Sequence, residues 1–147
     1  MGLTTIFDIA GSGMNAQSLR LNTTASNIAN ADTASSSADK TYRGRHPVFA
    51  ASFPQMLGYP ENASAIDSPP ESLGVAVKGI VESDAPLQPR YEPENPLADE
   101  QGYVYYPNVN VVEEMTNMIS ASRSYQVNVE VANAAKQMVQ KILTLGQ

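Results

Sequence analysis

Cysteine is absent from this chain of 147 residues. Without a thiol there is no disulfide framework, no zinc–thiolate centre and no cysteine nucleophile. Histidine occurs once, at His46, which excludes a metal site built on two histidines. Positive charge is scarce: 9 Lys and Arg stand against 15 Asp and Glu, a formal net charge of −6. A duplex binder needs a basic footprint, and so does adsorption to anionic lipid, so neither nucleic acid nor a lipid surface is an expected partner. No segment approaches the roughly 18 apolar residues of a membrane span, and direct membrane insertion is not expected. The opening MGLTTIFDIAGSG has neither a basic start nor a long apolar run, unlike a Sec-type signal peptide. Export would then use a route that removes no such peptide.

Proline is missing from both ends. All 10 prolines lie between Pro47 and Pro107. Proline breaks helix interiors, because it lacks the N–H and clashes with the preceding turn. The chain therefore divides into a helical segment at residues 1–34, a loop- and β-rich module at 35–110 and a second helical segment at 111–147. The expected fold class is α+β, with long N- and C-terminal helices forming a coiled-coil-like pair around a small, proline-rich insertion.

In the first helix Leu3, Phe7, Ala10, Met14, Gln17, Leu21, Thr24 and Ile28 alternate by four and three, a heptad pattern. Thr4 or Thr5 is placed to cap its start. Gly11 and Gly13 each cost about 1 kcal/mol relative to Ala, but let another backbone come close. In the second helix Met118, Ala121, Tyr125, Asn128, Ala132, Ala135, Val139 and Ile142 repeat the spacing. Asn110 with Glu113 resembles a capping box. Glu113 and Glu114 suit the first turn, Lys136 and Lys141 the later turns, and Gly146 the end. Charge is unusually sparse: Asp8 and Arg20 are the only charged side chains in residues 1–31. The positions read as outward, such as Asn22, Thr23, Ser26, Asn27 and Asn30, are small and polar. Burying a charge costs several kcal/mol unless it is paired, whereas an amide or hydroxyl needs only a hydrogen bond. Such a surface suits a helix that becomes enclosed on assembly.

In the middle, residues 35–40 read as a flexible polar stretch, and the bond before Pro47 favours extended backbone. Residues 58–73 read as turn-rich. Residues 74–84 are the best strand candidate, and Tyr103 to Tyr106 offer a short second strand. Residues 86–110 read as mostly irregular. No catalytic constellation stands out. His46 lacks a nucleophile pattern around it. Glu92, Glu94, Asp99 and Glu100 read better as a solvated acidic loop than as an acid–base pair. Gly11-Ser12-Gly13 is not a phosphate loop. Lys40, Arg43 and Arg45 are too few for nucleic acid. No cofactor and no metal are expected.

Several motifs then coincide in order. Ser12-Gly13-Met14, Ala16-Gln17, Arg20-Leu21, Ala25, Asn27-Ile28-Ala29-Asn30 and Thr33 resemble the N-terminal signature of bacterial flagellar rod and hook proteins. Asn108-Val109-Asn110, Glu113-Glu114-Met115 and the run from Ser122 to Val129 resemble the matching C-terminal end. Tyr42-Arg43, Pro47-Val48-Phe49, Gly74-Val75 and the stretch from Pro93 to Asp99 look like a proximal rod subunit of that family. The chain departs from the pattern at Asn95, where histidine is expected, and in residues 35–40, which lack the expected glycine or proline.

The resemblance implies a structural subunit, not an enzyme. Terminal helices of the family pack together and polymerise into a hollow rod that crosses the periplasm, transmits torque from rotor to hook and forms part of the export channel. It implies export by the flagellar type III apparatus without signal cleavage. The implied partners are the chain itself, neighbouring proximal rod proteins and the basal-body adaptor protein. The expected assembly interface comprises Phe7, Met14, Leu21, Asn27, Ile28 and Asn30 on the first helix. On the second it comprises Met118, Tyr125, Asn128, Ala132, Val139 and Ile142. Periodicity alone leaves another reading open, a soluble coiled-coil adaptor that binds one partner through its C-terminal helix.

Overall fold

The structure, a computed structural model, describes residues 3–52 and 74–145. In chain order it has helix α1 (Leu3–Asn30), a 3-10 turn (Ala38–Lys40), strands β1 (Arg45–Ala51), β2 (Val75–Glu82), β3 (Gln88–Tyr91) and β4 (Tyr103–Tyr106), and helix α2 (Val111–Leu145). This is the expected α+β arrangement: two long helices enclosing a small β-rich region in sequence.

The helix ends follow local chemistry. Asn110 caps α2, its Oδ1 accepting from the Val112 N–H at 3.1 Å. Glu113 and Glu114 lie in the first turn, where the helix dipole favours anions. The capping box is incomplete, because Glu113 is exposed and makes no return bond. Thr4 and Thr5 do not cap α1; the helix already begins at Leu3, so both lie within it. Gly146, the expected stop of α2, lies outside the described residues, as do residues 58–73.

Contacts divide the chain into two units. One comprises Met1–Leu19, Val48–Gly79 and Ala121–Gln147, the other Arg20–Pro47 and Ile80–Ser120. In the first unit the buried apolar side chains of α1 and α2 are small. Ala10, Ala16, Ala121 and Ala135 are all buried. A Cβ on Gly13 would lie 2.8 Å from Nδ2 of Asn128. Glycine at that position is thus a condition of the close approach. β2 is fastened at its start: Val75 N–H donates to Ser12 Oγ at 3.1 Å, which donates to the Ile9 carbonyl at 2.8 Å. Gly74 has φ +121°, and any Cβ there would run into Ser12 Oγ.

In the second unit, Arg20 Nη2 donates to Asn117 Oδ1 at 2.9 Å, and Asn27 Nδ2 to Glu114 Oε2 at 3.1 Å. Rising numbers on α1 meet falling numbers on α2, so the helices run antiparallel. β1 and β2 form one two-stranded sheet, β3 and β4 another. Pro47 is tolerated in β1 because a strand paired on one side has an edge that needs no donor. The same argument accounts for β3, which sequence reasoning left as irregular. Pro89 stands opposite Tyr105 in the antiparallel register Gln88↔Tyr106 to Tyr91↔Tyr103. Val104 of β4 is completely buried.

Residues 35–40 are likewise more ordered than their composition suggests. Ser35 and Tyr105 exchange backbone hydrogen bonds of 3.0 Å in both directions. Thr41 is buried and donates to the Ser37 carbonyl at 2.8 Å. Polar composition does not reveal a backbone bridge to a strand 70 residues away.

Candidate assembly surface

The second unit is organised around one amide. Asn27 has no exposed surface. Its Nδ2 donates to the Arg45 carbonyl at 2.8 Å and to Glu114 Oε2 at 3.1 Å. Its Oδ1 accepts from the Tyr42 hydroxyl at 2.8 Å and from the Arg45 N–H at 2.9 Å. All four hydrogen-bonding positions of an amide are therefore used. The partners come from the segment after the 3-10 turn, β1 and α2, so this one α1 side chain joins all three. Glu114 is itself 4% exposed. Burial pushes the Tyr42 hydroxyl above its usual pKa; Arg45 opposes that shift, and Glu114 and Glu82 add to it. Arg45 closes the group from outside, its guanidinium 5.4 Å from the Tyr42 ring centroid and 3.0 Å from Glu82. His46 is half exposed, with Nδ1 4.0 Å from Glu114 Oε1.

Asn27 thus answers to its own chain rather than to solvent. Thr23 and Thr24 are buried as well, so much of the polar face of α1 that reads as outward faces inward. The large apolar side chains lie elsewhere around the same helix. Phe7, Met14, Leu21 and Ile28 recur every seven residues; Phe7 is 38% exposed and the other three are half-buried. Asn30 is half-buried and returns its amide to the Ser26 carbonyl at 2.8 Å.

α2 follows the same rule. Glu114, Ala121 and Ala135 are buried and Asn128 half-buried, again at intervals of seven. Met118, Ala132 and Val139 are half-buried, while Tyr125 and Ile142 are exposed. Further around the helix Val127, Val131 and Met138 are exposed, and toward its start Val112, Met115 and Ile119. Sequence reasoning missed these six. Their own spacings, three and four in one group and four and seven in the other, were available as a signal, but it was masked by the parallel series from Met118 to Ile142. A helix that is apolar on more than one side has no single inward face to read.

Other candidates reduce to structure. The second unit has a polar cleft of about 490 Å³ beside Asn30, Lys40, Tyr42 and Arg43. Its guanidinium groups are already engaged: Arg43 donates to the Ser83 and Ala85 carbonyls, and Arg45 pairs with Glu82. Glu92 and Asp99 are not a solvated pair but acceptors that shape the β3–β4 turn. Asp99 Oδ1 takes the Gln101 and Tyr103 N–H groups at 2.9 and 2.8 Å. Among the described residues no group of three His, Cys, Asp or Glu side chains is arranged to hold a metal. Among the same residues no helix is long and apolar enough to cross a membrane.

Comparison with known proteins matches both ends and the whole chain. The family described as flagella basal body rod protein matches residues 7–34. The family described as flagellar basal body rod FlgEFG protein C-terminal matches residues 100–145. The flagellar basal-body rod protein FlgC of Escherichia coli O6:H1 is 51% identical over 147 residues, covering all of both chains. That of Salmonella typhimurium is 50% identical over the same span. That of Borreliella burgdorferi is 37% identical, covering all of this chain and 99% of its own. Identity at this level over the full length leaves one assignment: the chain belongs to the flagellar basal-body rod protein FlgC family.

Proposed function

We propose that this chain is a structural subunit of the bacterial flagellar basal-body rod. It assembles through the outward faces of α1 and α2. The family is one of rod proteins, and no catalytic role is assigned. The observation that carries the assembly mode is the sorting of side chains. The buried side chains of the helices are mainly Ala, Thr and Asn, while Phe7, Val127, Val131 and Met138 remain exposed. Full burial of a large apolar side chain is worth about 1.5–3 kcal/mol, and covering the roughly half that is still exposed contributes about half of that, so several in register supply a cohesive contact. The outer faces of α1 and α2 differ from each other. A contact between unlike faces is heterologous, and repeated it produces an open helical array rather than a closed dimer.

In this reading the neighbours are further copies of the chain, other proximal rod proteins and the basal-body adaptor protein. The array is a hollow, periplasm-spanning shaft that transmits torque and forms part of the export channel. The subunit reaches it through the flagellar type III apparatus with no cleaved signal. The test is a pair of charge insertions, Val131→Asp and Met138→Asp. Because both positions are solvent-exposed, the purified variants keep the wild-type unfolding free energy within about 0.5 kcal/mol. Cells carrying them lose swimming and rod assembly. Normal swimming in both variants overturns the assembly mode. A discrete dimer of the wild type with fully protected helices favours the adaptor reading instead.

A further inference from the structure

The β3–β4 hairpin offers a surface of different chemistry, separate from the helix faces. In the register of this pair Tyr91 stands opposite Tyr103, and Pro89 opposite Tyr105. These four share one face, because side chains alternate along a strand. The other face carries Val104, which is completely buried. The aromatic face therefore looks outward. Tyr91 is 66% and Tyr103 39% exposed, with ring centroids 5.4 Å apart in an edge-to-face arrangement.

The turn joining the strands, residues 92–102, holds Glu92, Glu94, Asp99 and Glu100 and no Lys or Arg. Two of these carboxylates serve the fold. Glu92 accepts from Asn95 Nδ2 at 2.9 Å and from the Tyr106 hydroxyl at 3.3 Å, and Asp99 accepts the turn amides already described. Glu94 and Glu100 are exposed and bond to nothing in the described chain. The turn is held in shape by Gly102, at φ +83°, where a Cβ would lie 2.9 Å from the Tyr91 ring. The free carboxylates thus belong to the ordered turn that joins the two tyrosine-bearing strands, which lowers the ordering cost of binding.

Exposed tyrosine faces on a hairpin whose turn carries uncompensated carboxylates match a lysine or arginine side chain. The ring takes the cation and its aliphatic stem, and the carboxylate completes the pair. The same unit uses that chemistry internally, with Arg90 4.4 Å from the Tyr106 ring centroid. A second copy of this chain is a poor occupant, since it brings the same acidic turn and a net charge of −6. We infer that the tyrosine face and acidic turn of β3–β4 dock a lysine- or arginine-bearing segment of a different protein.

The experiment places a photoreactive benzoylphenylalanine at the exposed Gln101 of the full chain, in cells that assemble flagella, and sequences the cross-linked peptide. The expected product joins this chain to a peptide of another protein containing Lys or Arg. Its yield falls at least tenfold in the double variant Glu94→Lys/Glu100→Lys and in Tyr91→Ala. Circular dichroism of the purified double variant verifies folding, which neither glutamate supports. A cross-link to another copy, a glycan adduct, a peptide without Lys or Arg, no cross-link, or a yield unchanged by charge reversal overturns the inference. The readout is the chemistry of the captured peptide rather than motility, so its failure leaves the helix-face assembly standing.

Discussion

Replacing Asn27 by alanine removes four hydrogen bonds at once. It strands the Arg45 N–H and carbonyl, the Tyr42 hydroxyl and Oε2 of Glu114. A buried polar group left without its partner costs about 1–3 kcal/mol, more when it is charged. Glu114 is almost fully buried and pays that penalty nearly in full; Tyr42 and Arg45 are closer to solvent and recover part of theirs through water. The sum expected for Asn27→Ala is therefore about 4 kcal/mol, a large fraction of the roughly 5–15 kcal/mol that holds a domain folded. At a urea dependence of about 2 kcal/mol/M, the unfolding midpoint falls by about 2 M. Asn27→Asp is the sharper comparison, because it keeps the shape. Oδ1 survives as an acceptor, but the donor toward Glu114 becomes a second carboxylate oxygen. At pH 7 the like charges repel, and this variant is at least as unstable as the alanine one; acidification to about pH 4 returns part of the loss as one carboxyl takes a proton. Equilibrium urea unfolding of the full chain measures both. A cost below about 1 kcal/mol for alanine, or wild-type stability for aspartate at pH 7, refutes the node.

The two glycines of α1 should respond in opposite senses. Gly11→Ala meets nothing within 4 Å and raises stability by about 0.5–1 kcal/mol through helix propensity. Gly13→Ala drives a Cβ into Asn128, whose amide is tied to the Ser124 carbonyl at 3.0 Å, and falls about 1 kcal/mol below wild type; thermal unfolding separates them. Tyr42 predicts an alkaline weakness. Its folded pKa is raised, so the native state holds the proton more tightly than the unfolded one near its ordinary value of about 10. That stabilisation is complete below pH 10 and is lost as pH rises through the folded value; Tyr42→Phe removes the slope in urea unfolding monitored between pH 9 and 11. Amide exchange of the dilute monomer should be graded: slow at residues 23–30 and 114–120, which the Asn27 node ties down, and fast at 3–12 and 134–145. Uniform protection along both helices contradicts that gradient.

The helices and the β2 and β4 strands are legible in the sequence, because a heptad pattern, an Asn cap and short runs of Val and Tyr each act within a few residues. What escaped is what depends on distant partners. β3 was hidden by Pro89, whose missing N–H matters only if the strand is paired on both sides, and it is paired on one. The order in residues 35–40 comes from Tyr105, which no local rule connects to Ser35. The acidic turn looked solvated because Asp99 and Glu92 are charged, yet they organise backbone amides and tyrosine hydroxyls. For the candidate surface the difficulty lay with the polar residues. Apolar spacing sets Leu21 and Ile28 in the stripe expected to meet other subunits, and both are half-buried here, whereas Asn27, expected on the same interface, is fully buried within its own unit. Hydrophobic period locates a stripe but cannot say whether that stripe meets the chain's own second helix or something else.

The sorting of large and small side chains is the link between fold and function. A chain that had to be stable alone would bury Phe7, Val127, Val131 and Met138, since transfer free energy scales with apolar area. Here α1 and α2 approach at Gly13 and Asn128 in the first unit and are joined by Arg20–Asn117 and Asn27–Glu114 hydrogen bonds in the second, while the buried apolar side chains of both helices are alanines. Small side chains contribute little area, but they admit close backbone approach and leave the bulky ones facing out. In the proposed assembly the hydrophobic contribution of those exposed side chains is then held for neighbouring subunits. Binding that engages only the folded helices also stabilises them by mass action. On the proposed assembly mode such a subunit is least stable while it is alone and gains most when neighbours cover its helices, which is the property a stiff shaft built from separate subunits would require.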